Sequence, residues 1–208
     1  MRLADALVAA EAGADAVGFV FAASPRRIDA AMAAAIIREL PASVLPVGVF
    51  VNATAMEIAR VREVSGIRGV QLHGGESLEL ATALPGLEVF RAWSMAAGYH
   101  PDLAAAARPW AGRVRAFLLD AARPGEGGTG HSFDWEAARP LAALAPVIVA
   151  GGLTVDNVGA AIPRAHAWGV DVSSSVESSP GVKDAGRVRQ FIAAARRAFQ
   201  LQSAGDPV

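Results

Sequence analysis

Short apolar runs alternate along this chain with longer segments whose apolar positions recur every three or four residues. The runs cover 16–21, 44–51, 69–73, 88–93, 116–120, 146–150 and 170–173. All are short and several are rich in Val, Ile and Phe, the pattern of parallel strands buried on both faces. The intervening segments predict helices over 30–40, 54–65, 76–84, 102–108, 133–144, 154–162 and 184–200. Asp134 and Thr154 predict helix starts, because a small oxygen acceptor there can take a free amide hydrogen of the first turn. Gly13 and Gly66 predict helix stops.

One more amphipathic helix, over 2–12, precedes the first run, so the count is seven strands and eight helices. Spacers of roughly 20–35 residues match βα units. No linker or shift of composition divides residues 1–208, which predicts one β/α barrel domain across the chain. A closed barrel of eight βα units starts with a strand. A helix-first chain therefore predicts a (βα)8 TIM-type barrel from which the first β-strand is absent. An open, doubly wound sheet can begin with a helix and needs no closure, but strict alternation and the length favour the barrel.

Composition narrows the classes of function. Hydrophobic residues make up 53% and charged ones 19%, which excludes disorder. No apolar run approaches the roughly 18 residues of a spanning helix. The N-terminal segment carries acids at 5, 11 and 15 without a continuous apolar core, unlike a signal peptide. A net charge of −1 without a basic stripe argues against a nucleic-acid partner. The sequence contains no cysteine, which leaves no disulfide, thiolate metal site or cysteine nucleophile among these residues. A soluble, cytoplasmic protein with no membrane partner is expected.

The densest chemistry lies in 114–135. The run 116–120 ends in Asp120, followed by glycines at 125, 127, 128 and 130 and then by Phe133-Asp134-Trp135-Glu136. A carboxylate at the C-terminal tip of a buried strand sits where α/β barrels carry their active sites; a turn-initiating aspartate is the plainer alternative. Other strand ends add candidates. Ser24-Pro25-Arg26-Arg27 presents guanidinium groups on a rigid turn, where a solvated basic turn is the commoner outcome. Gln71 and His73 alternate along one strand and so share a face, although a lone histidine there is more often a rim residue than a catalyst. The loops holding Gly151 and Gly152, and Ser173 and Ser174, precede the last two helices and can offer backbone amides to a phosphate.

The segments GADAVGFVF (13–21), SPR (24–26), VGVFVN (47–52), VQLHG (70–74), FLLD (117–120), GGTGHSFDW (127–135), AGGLTVDNV (150–158) and GVDVSSSVESSPGVKD (169–184) resemble phosphoribosylanthranilate isomerase of tryptophan biosynthesis. The resemblance covers nearly the whole chain. It implies a (βα)8 barrel and an aldose–ketose isomerase. The implied reaction is an Amadori rearrangement of N-(5-phosphoribosyl)anthranilate to 1-(2-carboxyphenylamino)-1-deoxyribulose 5-phosphate, without metal or organic cofactor. The partner implied is this small phosphorylated substrate, on a monomer or homodimer. The family's general acid falls on Asp120, which must keep its carboxyl protonated until it opens the ribose ring. Arg26 matches the arginine beside the anthranilate carboxylate. Gly151, Gly152, Ser173 and Ser174 match the phosphate grip, and Gln71 and His73 match residues of the barrel mouth.

Two departures bear on activity. The family's first strand reads roughly Lys-Ile-Cys-Gly, and its cysteine is the general base; here Met1 falls in the helix after that strand, and strand and cysteine are both absent from the chain. An impaired catalyst with open edges at 16–21 and 170–173 is expected, with a barrel that only binds phosphorylated ligands as the alternative function. Ser175 stands where the family has glycine, which costs about 1 kcal/mol or more if that position requires positive φ. A histidine-pathway aminoaldose isomerase, which uses two aspartates at opposed strand ends, ranks third because only Asp120 is singled out here.

Overall fold

A computed structural model describes residues 2–95, 103–121 and 133–205. Seven parallel strands form one sheet in chain order: β1 (Ala16–Val20), β2 (Leu45–Phe50), β3 (Gly69–Leu72), β4 (Glu88–Ser94), β5 (Ala116–Asp120), β6 (Val147–Ala150) and β7 (Gly169–Val170). Around it run α1 (Leu3–Ala12), α2 (Ala30–Glu39), α3 (Ala55–Ser65), α4 (Leu78–Thr82), α5 (Leu103–Ala107), α6 (Arg139–Ala142), α7 (Val158–Ala165) and α8 (Ala185–Gly205). The seven strands and eight helices of the barrel reading are all present among the described residues. The sheet runs from β1 to β7 without pairing those two edges to each other, as expected of a (βα)8 barrel that lacks one strand.

Side-chain alternation builds two apolar layers, one inside the curved sheet and one beneath the helices. Inside, Val47, Phe90 and Ala116 pack with Leu45 and Ile148, and Ala92, Leu118 and Ala150 form the layer above them. On the outer face of β1, Val17 and Phe19 pack on Ala6 of α1 and on Ala33 and Ile36 of α2. Farther round, Leu72, Phe117, Leu119, Val149 and Ile162 are essentially inaccessible to solvent. Local signals explain most boundaries. Asp29 accepts the Met32 amide at 2.7 Å to start α2. Thr54 and Glu57 form a capping box for α3. Gly13 (φ +98°) and Gly66 (φ +78°) end α1 and α3 in the left-handed conformation, as their glycines predicted.

Several expectations shift. Thr154 is not a helix cap: its amide donates to Asn157 Oδ1 at 2.8 Å, a turn forms, and α7 starts only at Val158. The helix predicted from 76 starts at Leu78 with Ser77 as cap, because Glu76 is drawn inward by other partners. Asp134 does cap, accepting the Glu136 amide at 3.2 Å, but it opens a 3₁₀ turn over Trp135–Ala138 that leads into α6, with Pro140 in its first turn. The last run shortens to Gly169–Val170. After it comes an unforeseen hairpin of β8 (Glu177–Ser179) and β9 (Val182–Lys183). The glycines at 125–130 and the helix start at 102 lie outside the described residues.

Candidate active site

Parallel strands bring their C-terminal ends to one mouth, and the candidates on β3, β5, β6 and β7 gather there. Asp120, the last residue of β5, has its Oδ2 3.6 Å from Nε2 of His73. Gln71 sits two residues earlier on the same face, and its Nε2 lies 2.9 Å from His73 Nδ1. With the amide oriented to donate, Nδ1 is the acceptor and the ring proton sits on Nε2, facing Asp120. Gln71, His73 and Asp120 are thus linked in a row rather than scattered.

The loop after β6 touches Asp120 directly. Gly151 has φ +76°, and a Cβ built on it would lie 2.4 Å from the Ala121 amide nitrogen and 2.5 Å from Asp120 Oδ1. Only glycine allows this approach. Gly152 follows with φ +63°, and its carbonyl accepts from Asn157 Nδ2 at 2.9 Å. The loop after β7 is fastened to this one: Ser175 Oγ donates to the Leu153 carbonyl at 2.5 Å. Ser175 is not in the left-handed region, so the cost feared for a serine in place of glycine does not arise; the hydroxyl joins the two loops instead. Gly151 and Gly152 therefore share one end of the sheet with Ser173 and Ser174, on neighbouring strands.

A second carboxylate stands at the same mouth, one that sequence reading passed over. Asp171 follows the tip of β7, its amide donating to Val149 O at 2.9 Å. Its side chain is open to solvent through the mouth, while protein surrounds it on its other sides. That surrounding protein, and next the charge of Asp120, push its pKa up; Lys183 and His73 pull it down less strongly. The signal that singled out Asp120, a carboxylate just past a buried strand, applied to Asp171 as well.

Arg26 lies across from these loops and is held bidentately. Its Nε and Nη2 donate to the two oxygens of Glu177 at 2.8 and 2.7 Å. Its Nη1 has no partner among the described residues. Lys183 reaches the same carboxylate at 3.1 Å and also donates to the Ser173 carbonyl at 2.7 Å. Burial raises the pKa of Glu177, but its bonds with Arg26 and Lys183 outweigh that and hold it below the ordinary value. The hairpin that carries Glu177 and Lys183 thus ties the Arg26 turn to the Ser173 loop. Nothing in the strand–helix alternation announced it. Among the described residues no cluster of three or more His, Asp or Glu could hold a metal ion.

The profile of the N-(5'-phosphoribosyl)anthranilate (PRA) isomerase family matches residues 1–194. An N-(5'-phosphoribosyl)anthranilate isomerase of Pseudomonas putida strain F1 is 46% identical over 201 residues, covering 95% of this chain and 94% of that protein. One from Rubrobacter xylanophilus is 47% identical over 197 residues, covering 92% and 93%. The crystal structure of phosphoribosyl anthranilate isomerase from Thermotoga maritima superposes with a TM-score of 0.86 at 38% identity, covering 95% of each chain. A phosphoribosyl anthranilate isomerase in complex with reduced 1-(o-carboxyphenylamino)-1-deoxyribulose 5-phosphate gives a TM-score of 0.82 at 36% identity, covering 94% of each. These likenesses span the sheet, its helices and the loops of the mouth alike, and the chain belongs to the phosphoribosylanthranilate isomerase family.

Proposed function

We propose that the mouth formed by β3, β5, β6 and β7 binds N-(5-phosphoribosyl)anthranilate with its phosphate at the β6 and β7 loops and its carboxylate at Arg26. The chain's activity is the isomerisation of this aldosylamine to 1-(2-carboxyphenylamino)-1-deoxyribulose 5-phosphate, in tryptophan biosynthesis. The Gly151 and Gly152 amides, with Ser173 and Ser174, receive the phosphate. Arg26 keeps Nη1 for the anthranilate carboxylate while Glu177 fixes its plane. The ribose then spans the gap between Asp120 and Asp171.

Asp120 delivers a proton to the ring oxygen. The C1′–O bond breaks, the nitrogen lone pair forms the C1′=N bond, and the ring opens to a Schiff base. Solvent water at the mouth takes the C2′ proton, the released electron pair forms an enolamine, and tautomerisation to the ketone returns a proton at C1′, so substrate and product have the same atoms. Asp171 faces the sugar from the other side of the gap, its proton held more firmly than an ordinary aspartate's. No step is assigned to a cysteine. Membership of a family of biosynthetic enzymes supports a cytoplasmic location; among the described residues no helix is long and apolar enough to cross a membrane.

The observation that carries this reading is the contact between Gly151 and Asp120, which makes acid and phosphate loop one surface. The test is to supply phosphoribosylanthranilate and follow the loss of its fluorescence. Turnover by the protein supports the reading, and a protein that neither turns over nor binds this substrate refutes it.

A further inference from the structure

Glu76 and Arg91 form a buried ion pair for which the isomerisation has no direct use. Their side chains are 1% and 8% exposed, with Arg91 Nη1 2.8 Å from Glu76 Oε2. The guanidinium lies 5.6 Å from the Trp93 ring and 5.0 Å from the Trp110 ring, and its buried Nε has no hydrogen-bond partner among the described residues. Removing two charges from water costs several kcal/mol per ion, and well-packed apolar side chains often hold such a place equally well. What distinguishes this pair is where its other bonds go.

We propose that Glu76 is a positioning residue for His73, acting with Arg91 on both peptide groups that flank it. The peptide before His73 is pinned at each end: the Leu72 carbonyl accepts from Arg91 Nη1 at 3.2 Å, and the His73 amide donates to Phe50 O at 2.9 Å. The peptide after it is pinned by the Gly74 amide, which donates to Glu76 Oε2 at 2.7 Å. With both planes fixed, the backbone of His73 has one conformation, and its imidazole is delivered between Gln71 and Asp120. The other carboxylate oxygen, Oε1, takes the Asn52 amide at 2.7 Å, and Asn52 Oδ1 takes the Gly75 amide at 2.7 Å. Asn52 adopts φ +55° to do so, and a Cβ on Gly74 would lie 2.4 Å from its Oδ1. The loops after β2 and β3 are therefore interlocked around one carboxylate.

A carboxylate is the group this arrangement needs. Its two oxygens accept from three donors, whereas glutamine offers one acceptor oxygen and turns an N–H toward another N–H. This inference rests on the reading of the mouth as the catalytic site, so one of its two readouts is independent of substrate. The first is turnover: Glu76→Gln lowers kcat roughly ten- to hundredfold with KM little changed, the scale of a misplaced group. The second is the ¹⁵N chemical shifts of the two His73 ring nitrogens, which move in Glu76→Gln.

The double variant Glu76→Gln/Arg91→Met removes both buried charges, keeps the fold, and shows the same two changes. Ile162→Val, in the core away from the mouth, lowers the melting temperature and moves neither readout. Wild-type ring-nitrogen shifts in a folded Glu76 variant overturn the proposal, as does a fall in kcat with those shifts unmoved. If the wild-type protein fails to process phosphoribosylanthranilate, the reaction reading fails, and the ring-nitrogen shifts still decide whether Glu76 positions His73.

Discussion

Gly151→Ala places a methyl group where Asp120 and the loop after β6 meet. Two costs are separable. The first is conformational: at φ +76° an alanine loses about 1 kcal/mol relative to glycine. The second is steric. The added Cβ would stand 2.5 Å from Asp120 Oδ1 and 2.4 Å from the Ala121 amide nitrogen, against an ordinary contact of 3.4 Å or more, so the loop or the carboxylate must move by about 1 Å. Overpacking of this kind costs about 1–3 kcal/mol of stability. A 1 Å displacement of a catalytic group can lower turnover about 10²-fold. Gly66→Ala is the matched control, since Gly66 has φ +78° with nothing within 4 Å of its added Cβ. Urea unfolding and steady-state turnover of both variants separate the terms. Gly66→Ala loses only the conformational part and keeps its kcat, whereas Gly151→Ala loses more stability and about a hundredfold in kcat. Equal stability losses with wild-type turnover in both would refute the contact between Gly151 and Asp120.

Asp120→Asn abolishes turnover while leaving the urea midpoint nearly unchanged, because the side chain faces the mouth rather than the core; near wild-type turnover removes Asp120 as the acid. Asp171→Asn tests the second carboxylate through stability. The folded protein holds the Asp171 proton above the ordinary value of 3.8, so between that pH and its raised pKa the unfolded chain binds fewer protons, and stability falls as pH rises. Asparagine removes this loss: the variant melts higher than wild type at pH 8 and shows no advantage at pH 3, while a constant difference at both pH values contradicts the shift.

Periodicity made the frame legible because both faces of each strand are buried, and buried strands leave apolar runs that helices interrupt. Asp120, Gly151 and Ser173 were legible for a related reason, since a parallel sheet sends every strand tip to one end. Contacts between loops were not legible. Arg26 meets Glu177 across 151 positions of sequence, and Glu76 meets Asn52 across 24, through bonds that obey no period. Thr154 misled because Thr-Val-Asp-Asn has three competent caps, and Asn157 closed the turn that delayed α7. Ser175 misled in the other direction. A side chain in place of the family glycine looked costly until its hydroxyl was seen to bond the Leu153 carbonyl.

In the proposed complex, substrate lies across one mouth, with its phosphate on the β6 and β7 loops and its carboxylate on Arg26. A crystal structure of this protein with reduced 1-(o-carboxyphenylamino)-1-deoxyribulose 5-phosphate tests it most directly. The expected complex has phosphate oxygens on the amides of Gly151 and Gly152 and on Ser173 or Ser174, the ligand carboxylate on Arg26 Nη1 with Glu177 still paired, and the sugar chain between Asp120 and Asp171. Phosphate bound away from both loops, or a sugar chain out of reach of Asp120, would contradict it.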